Sequence, residues 1–274
     1  VSVANRIFEI LRLFVDQKPI WTVEEIIAEL GCSSSGAYRA VRLLTNERFL
    51  SPISGARYML GTAFIEYDRS IRMTDQFLSV GGPILKSLVE SFDHSVTGIL
   101  SRFYRDSVMC VHQEQHSASG EPSYTSYERG LPMPLFRGAT SRVILAALSN
   151  RYMRQLYDRH CAEISSSGLG DDWKNFSAGL RQVRQSGSSV TYEEIDKGVV
   201  GIAAPVAIER GYNDRGIGSI SLVLRRDSVD DRAIIRATQL VIAAGKEIEH
   251  VLKNPADAGD GQGDGSEHDI PVSA

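Results

Sequence analysis

The sequence predicts an α+β protein of two parts, a small helical module ending in a β-hairpin and a larger domain built on an antiparallel sheet. Three observations carry this. Residues 1–60 hold three amphipathic helical periods followed by two short apolar runs around a turn. From about residue 96, β-rich runs and helical stretches follow one another in an order that suits an antiparallel sheet covered by helices. The 274 residues, 42% hydrophobic and 23% charged, suffice for two globular cores.

Val3, Ile7, Ile10, Leu11 and Phe14 mark the first helix. Thr22 and Glu25 form a capping box ahead of a second, whose apolar face is Val23, Ile26, Ile27 and Leu30. Gly31 and Cys32 make a short turn, and Ser33 caps a third helix running to about Asn46. Its inner face is Ala37, Val41 and Leu44, and its outer face is Ser35, Tyr38, Arg39 and Arg42. Hydroxyl and guanidinium groups projecting from a helix just after a tight turn suit the major groove of DNA. Phe49–Ile53 and Arg57–Leu60 flank Ser54-Gly55-Ala56, a hairpin signature with Arg57 at its tip. Three helices and such a hairpin make a winged helix-turn-helix over residues 1–60, with the wing placed to meet phosphates or the minor groove.

Residues 61–77 form a connecting helix with Ala63, Phe64, Tyr67 and Ile71. Gly81-Gly82-Pro83 marks a break or first turn before a helix on Ile84, Leu85, Leu88, Val89 and Phe92. Val96–Phe103 and Ser107–Gln113 are strands joined by a turn at Arg105-Asp106, and residues 117–122 form a loop. Pro134 opens a turn into an apolar helix containing Val143–Leu148, and two more helices cover Tyr152–Cys161 and Trp173–Gln185. Val199–Ala207 and Ile217–Leu224 are strands, and a long helix spans Val229–Leu252. Residues 78–254 thus make the second domain, and the Gly/Asp/Ser-rich residues 255–274 make an acidic tail expected to be disordered.

The net charge of −4 is concentrated in that tail, which holds five carboxylates and no Lys or Arg. Without it, 29 acidic side chains stand against 30 basic ones, a balance that suits a specific reader of DNA better than a protein that coats nucleic acid. The three widely spaced cysteines, Cys32, Cys110 and Cys161, read as reduced thiols in a cytoplasmic protein. No apolar run approaches the length of a membrane span, and the opening residues lack the layout of a secretion signal.

The chain resembles the IclR family of transcriptional regulators over nearly all its length to about Asn254. The matching pieces are Ser35-Gly36-Ala37-Tyr38-Arg39, Tyr58-Met59-Leu60-Gly61, Pro134–Ala139 with the helix Val143–Leu148, and above all Glu194–Val206. The resemblance implies a winged helix joined by a linker helix to a GAF-like effector-binding domain. It further implies a homodimer or homotetramer on double-stranded operator DNA, responding to a small metabolite. Two positions depart from the family pattern in the first domain: Gly36 stands where Thr is usual, and Arg48 where Gly ends the recognition helix.

Gly138-Ala139 sits where a loop enters a helix, so free N–H groups and the positive end of the helix dipole make a natural carboxylate site. By resemblance the remaining walls are Thr191, Tyr192, Gly201, Ser219 and Ser221. Some relatives carry an acid at or beside position 191 and a cysteine at 201, so this cavity is expected to be larger and less anionic. A small organic acid, aliphatic or aromatic, is the expected effector, and no cofactor is called for.

Competing chemistry is weak. His112, Glu114 and His116 would share one face of a strand, a geometrically possible metal site, but the spacing is not that of a helical metalloprotease motif. Cys110 and Ser141 lack the flanking pattern of an activated nucleophile, and no phosphate loop or paired-carboxylate layout stands out, so an enzyme is not expected. The sequence therefore points to an effector-controlled DNA-binding regulator, a repressor more than an activator. The alternatives are a sensor whose winged helix meets protein partners, and a metal-responsive regulator using His112 and His116.

Overall fold

The computed structural model describes residues 3–117, 125–208 and 216–254. The expected tail, 255–274, and most of the expected 117–122 loop lie outside these. The chain divides into two compact units at Asp75/Gln76.

In the first unit, α1 (Val3–Asp16), α2 (Val23–Leu30) and α3 (Ser34–Asn46) close on one core of Ile10, Phe14, Ile26, Val41 and Leu44. The Thr22–Glu25 capping box is formed in both directions, and Gly31 ends α2 in the left-handed conformation. Ser33 caps α3 by accepting the Gly36 N–H. The wing is three-stranded: β2 (Leu50–Ile53) and β3 (Arg57–Leu60) make the hairpin, and β1 (Trp21–Thr22), which the sequence pattern misses, pairs with β3. Two residues are too short for a periodic signal.

α3 ends at Asn46, and Arg48 adopts φ 59°, the left-handed conformation that a glycine would take without cost. Behind it, Gly61 passes so close that a Cβ there would lie 2.1 Å from the Arg48 carbonyl oxygen. Helix α4 (Ala63–Thr74) then leaves the wing with Phe64 and Tyr67 packed on the Phe49 ring, at centroid distances of 5.4 and 5.6 Å.

The second unit is a six-stranded antiparallel sheet in the order β6-β5-β4-β9-β8-β7. Its strands are β4 (Val96–Tyr104), β5 (Ser107–His116), β6 (Pro132–Pro134), β7 (Ser189–Tyr192), β8 (Val199–Ala207) and β9 (Ile217–Arg225). Arg105 and Asp106, both at positive φ, make the tight β4–β5 turn. One face carries Leu100, Ile202, Ile220 and Leu222 against α5 (Gln76–Glu90) and α9 (Asp231–Lys253). The other is covered by α6 (Ala139–Ala147), α7 (Asn150–Ser166) and α8 (Trp173–Ser186).

The expected break at Gly81-Gly82-Pro83 does not occur, because α5 runs through it. The two glycines are buried, and a Cβ on Gly81 would lie 2.8 Å from Leu100, so they let the helix press onto the sheet. Phe77, Leu85, Leu88 and Val89 hold the helix there, and their burial outweighs the backbone bond lost at Pro83.

Candidate functional site

On α3, Ser35, Tyr38, Arg39 and Arg42 are all exposed, as the helical phase requires. Arg39, Arg42, Thr45 and Asn46 line a groove with Tyr38 and Tyr58, the latter on the wing strand β3. Among the described residues neither arginine is held in an ion pair, so both guanidinium groups are open to an anion. Tyr38 is tied down, its hydroxyl donating to Glu24 Oε1 on α2 at 2.6 Å. That bond holds the Glu24 carboxyl below its ordinary range and raises the Tyr38 phenol. Arg57 stands at the wing tip, where its Nε donates to the Ser54 carbonyl at 2.9 Å.

The second site is a cavity at the N-terminus of α6. Gly138 caps this helix at φ 85°, ψ 156°, a conformation open essentially to glycine alone. Gly138, Ala139, Thr191 and Gly201 line the cavity, together with Thr125, Tyr127, Thr140, Glu193–Asp196, Val199, Leu222 and Val223. The other expected wall residues stand elsewhere. Tyr192 is half exposed beneath the Arg226 guanidinium. Ser221 is buried under α6, accepting from the Thr140 hydroxyl at 3.2 Å. Ser219 is fully buried opposite Ser101 on β4. Ser221 thus lies beneath the helix end, and neither serine lines the cavity.

The cavity, expected to be large and weakly anionic, is small and carries carboxylates. Its free volume is only about 30 Å³, room for water but far short of the ~300 Å³ of a small ligand pocket. Two carboxylates reach it from the β7–β8 hairpin. Glu194 accepts the Gly138 N–H at 2.9 Å and pairs with Arg142 Nη2 at 2.5 Å. Asp196, 8% exposed, accepts the Ser126 N–H at 2.8 Å and the Ser126 and Thr125 hydroxyls. Burial pushes the Tyr127 phenol up to about 12, offset in part by the nearby hydroxyls of Thr140 and Ser141.

Sequence reasoning assigned no role to Arg142, Glu194, Asp196 or Tyr127. One signal was present: Arg142 is a charged residue one turn after Gly138, just ahead of the apolar run Val143–Leu148, which places it beside the same helix end.

The His112–Glu114–His116 metal candidate is not assembled. The strand is formed as expected, but residues 112 and 116 lie about 13 Å apart along it at the usual rise per residue. His112 Nε2 contacts Glu114 Oε1 at 2.9 Å instead, and no three potential ligands gather among the described residues. A β-bulge at Val111 also turns Cys110 and His112 to opposite faces, since Ser101 pairs with Cys110 and Leu100 with His112. Burial pushes the Cys110 thiol up to about 11, and Ser141 is buried with its hydroxyl on the Pro134 carbonyl at 2.7 Å. Neither is an activated nucleophile.

Two family profiles match, "IclR helix-turn-helix domain" over residues 3–52 and "Bacterial transcriptional regulator IclR C-terminal" over residues 76–250. The chain belongs to the IclR family. It is thus a transcriptional regulator with a helix-turn-helix DNA-binding domain and a C-terminal effector domain. Solved IclR-family structures share its fold. The regulator from Alicyclobacillus acidocaldarius is 21% identical, with a TM-score of 0.72 over 91% of this chain and 98% of that one. An IclR homolog from Microbacterium hydrocarbonoxydans, solved with 4-hydroxybenzoate, is 16% identical, with a TM-score of 0.70 over 92% and 99%. Pseudomonas aeruginosa HmgR is 20% identical, with a TM-score of 0.65 over 91% and 98%. No curated protein matches the chain in sequence. No helix among the described residues is long and apolar enough to cross a membrane.

Proposed function

We propose that this IclR-family regulator reads operator DNA through Arg39, Arg42 and Arg57, and that a small organic acid bound at the α6 N-terminus adjusts its affinity. The observation that carries the acid is the pair of donors at that helix end, Gly138 N–H and Arg142, which already hold a carboxylate. Ile195, Val199 and Leu222 supply apolar wall for the body of the ligand. The 4-hydroxybenzoate bound to the Microbacterium homolog supports an aromatic acid as one admissible class. The protein works in the cytoplasm as a homodimer or homotetramer and catalyses no reaction. Ile65, Tyr67, Ile71 and Met73 leave α4 more than half exposed at apolar positions, which supports pairing through this helix.

Arg39→Ala and Arg42→Ala each weaken operator binding by about 1–3 kcal/mol if the contact is bidentate to guanine. A phosphate contact instead lowers the salt dependence by about one unit of slope. Fluorescence anisotropy on a duplex selected by the protein from random DNA, at several salt concentrations, measures both. Parent-like binding by both variants removes the assignment of α3 and favours a winged helix that meets protein partners.

A further inference from the structure

The anion seat at the α6 N-terminus is filled by the chain itself. Glu194 spans both donors, one oxygen on the Gly138 N–H and the other on Arg142. Two groups beside it remain unsatisfied. The Tyr127 hydroxyl, on a residue only 5% exposed, has the Thr140 and Ser141 hydroxyls nearby but makes no hydrogen bond of good geometry, and it lies 3.1 Å from where a Cβ on Gly138 would stand. Arg142 Nε is also buried and unpartnered, so Glu194 uses only part of the guanidinium fork. With about 30 Å³ free, an organic acid enters only if something moves out.

We propose that Glu194 is a resident competitor for the effector: the ligand's carboxylate binds by displacing the Glu194 carboxylate from Gly138 and Arg142. This rests on the reading of the cavity as the effector site. The exchange replaces one carboxylate by another, so the part-buried guanidinium is never left without a counter-charge. The displaced group belongs to a short hairpin whose two ends, Glu193 at φ 54° and Gly198 at φ 72°, sit in left-handed conformations. The Glu193 N–H bond to the Val199 carbonyl, 3.0 Å, closes its base. Glu194 swings outward from that base into water, where a carboxylate is well solvated.

A consequence for ligand choice follows. An acid that merely replaces Glu194 at the seat gains little, because its head-group bonds were already made. Affinity then comes from the rest of the molecule, from contacts with Ile195 and Val199 and from a polar group that satisfies Tyr127. Acids with a body, such as benzoate or 4-hydroxybenzoate, outcompete acetate.

Calorimetry of the full chain with acetate, benzoate and 4-hydroxybenzoate tests this in the parent, Glu194→Gln and Gly201→Val proteins. Glu194→Gln keeps the side-chain shape but weakens its hold on Arg142, and binds the aromatic acids at least tenfold more tightly than the parent. Gly201→Val fills the cavity, where a Cβ already meets the Thr191 hydroxyl at 3.2 Å, and binds them at least tenfold more weakly. In the parent, amide exchange at 193–198 quickens when benzoate binds. Equal or weaker binding by a Glu194→Gln protein that melts like the parent overturns the displacement. If Gly201→Val still loses affinity, the cavity reading survives that result. If neither variant changes affinity, or no acid binds any of the three, both fall. Should Glu194→Gln fail to fold, Glu194→Asp, one methylene too short for Gly138, carries the same expectation of tighter binding.

Discussion

The proposed DNA-reading helix and the proposed effector seat both present positive groups to an anion, and they hold them in opposite states. Arg39 and Arg42 stand open on the exposed face of α3, while the Gly138 N–H and Arg142 are closed against Glu194. Exposure explains the difference. A guanidinium in water is solvated and screened, so it stays available for a polyanion at little cost. A part-buried donor left empty loses its water without a replacement, which costs about 1–3 kcal/mol. The two regions also differ in assembly. The α3 groups come from one continuous segment, whereas the seat gathers residues from 125–127, 138–142, 191–196 and 201.

The largest effect is expected where the first region departs from local assembly. Gly61→Ala drives a Cβ to 2.1 Å from the Arg48 carbonyl oxygen, a contact with backbone that no rotamer relieves. The variant loses about 3 kcal/mol of first-unit stability, the upper end of overpacking costs. Urea denaturation followed by Trp21 fluorescence measures it, with the second tryptophan, Trp173, replaced by Phe. A loss under about 1 kcal/mol would mean that the backbone there yields, and that this unit rests on its local signals alone.

Legibility in the sequence divides along the same line. Periodicity, caps and turn residues are local, and they made α1, α2, α3, the wing hairpin, β8 and α9 readable. The capping box at Thr22–Glu25 forms in the structure because both of its bonds lie within one turn. β1, β6 and β7 were not readable, being two, three and four residues long, and β1 and β6 are also stabilised by partners far away in the chain. At the seat, the helix entry pointed to Gly138 and Ala139 and family resemblance to Thr191 and Gly201, and these four do line the cavity. Neither revealed Glu194 on Gly138, a bond across 56 residues, or that Ser219 and Ser221 do not line the cavity. The bulge at Val111 was equally hidden, since nothing in the run Met109–Gln113 marks where the alternation slips.

Two smaller effects sharpen the contrast. Arg48→Gly relieves the left-handed residue after α3 and raises stability by about 0.5–1 kcal/mol, the strain relief exceeding the added freedom of the unfolded chain. A shift of the urea midpoint upward at unchanged slope is the expected record; a downward shift would show that the Arg48 side chain contributes more than its backbone costs. Gly201→Ala costs the least, under about 1 kcal/mol, because its Cβ meets a Thr191 hydroxyl at 3.2 Å that can rotate away. A loss as large as that of Gly61→Ala would place rigid backbone, not a side chain, against position 201.

The central claim is that the filled seat and the open helix are coupled, so that an acid at the first governs DNA at the second. The direct measurement is the affinity of the parent protein for its selected duplex with and without saturating benzoate or 4-hydroxybenzoate, whichever calorimetry shows to bind. The account predicts a change of at least tenfold, about 1.4 kcal/mol of coupling, and loss of that change in Gly201→Val. An unchanged DNA affinity in a protein demonstrably loaded with the acid would contradict it.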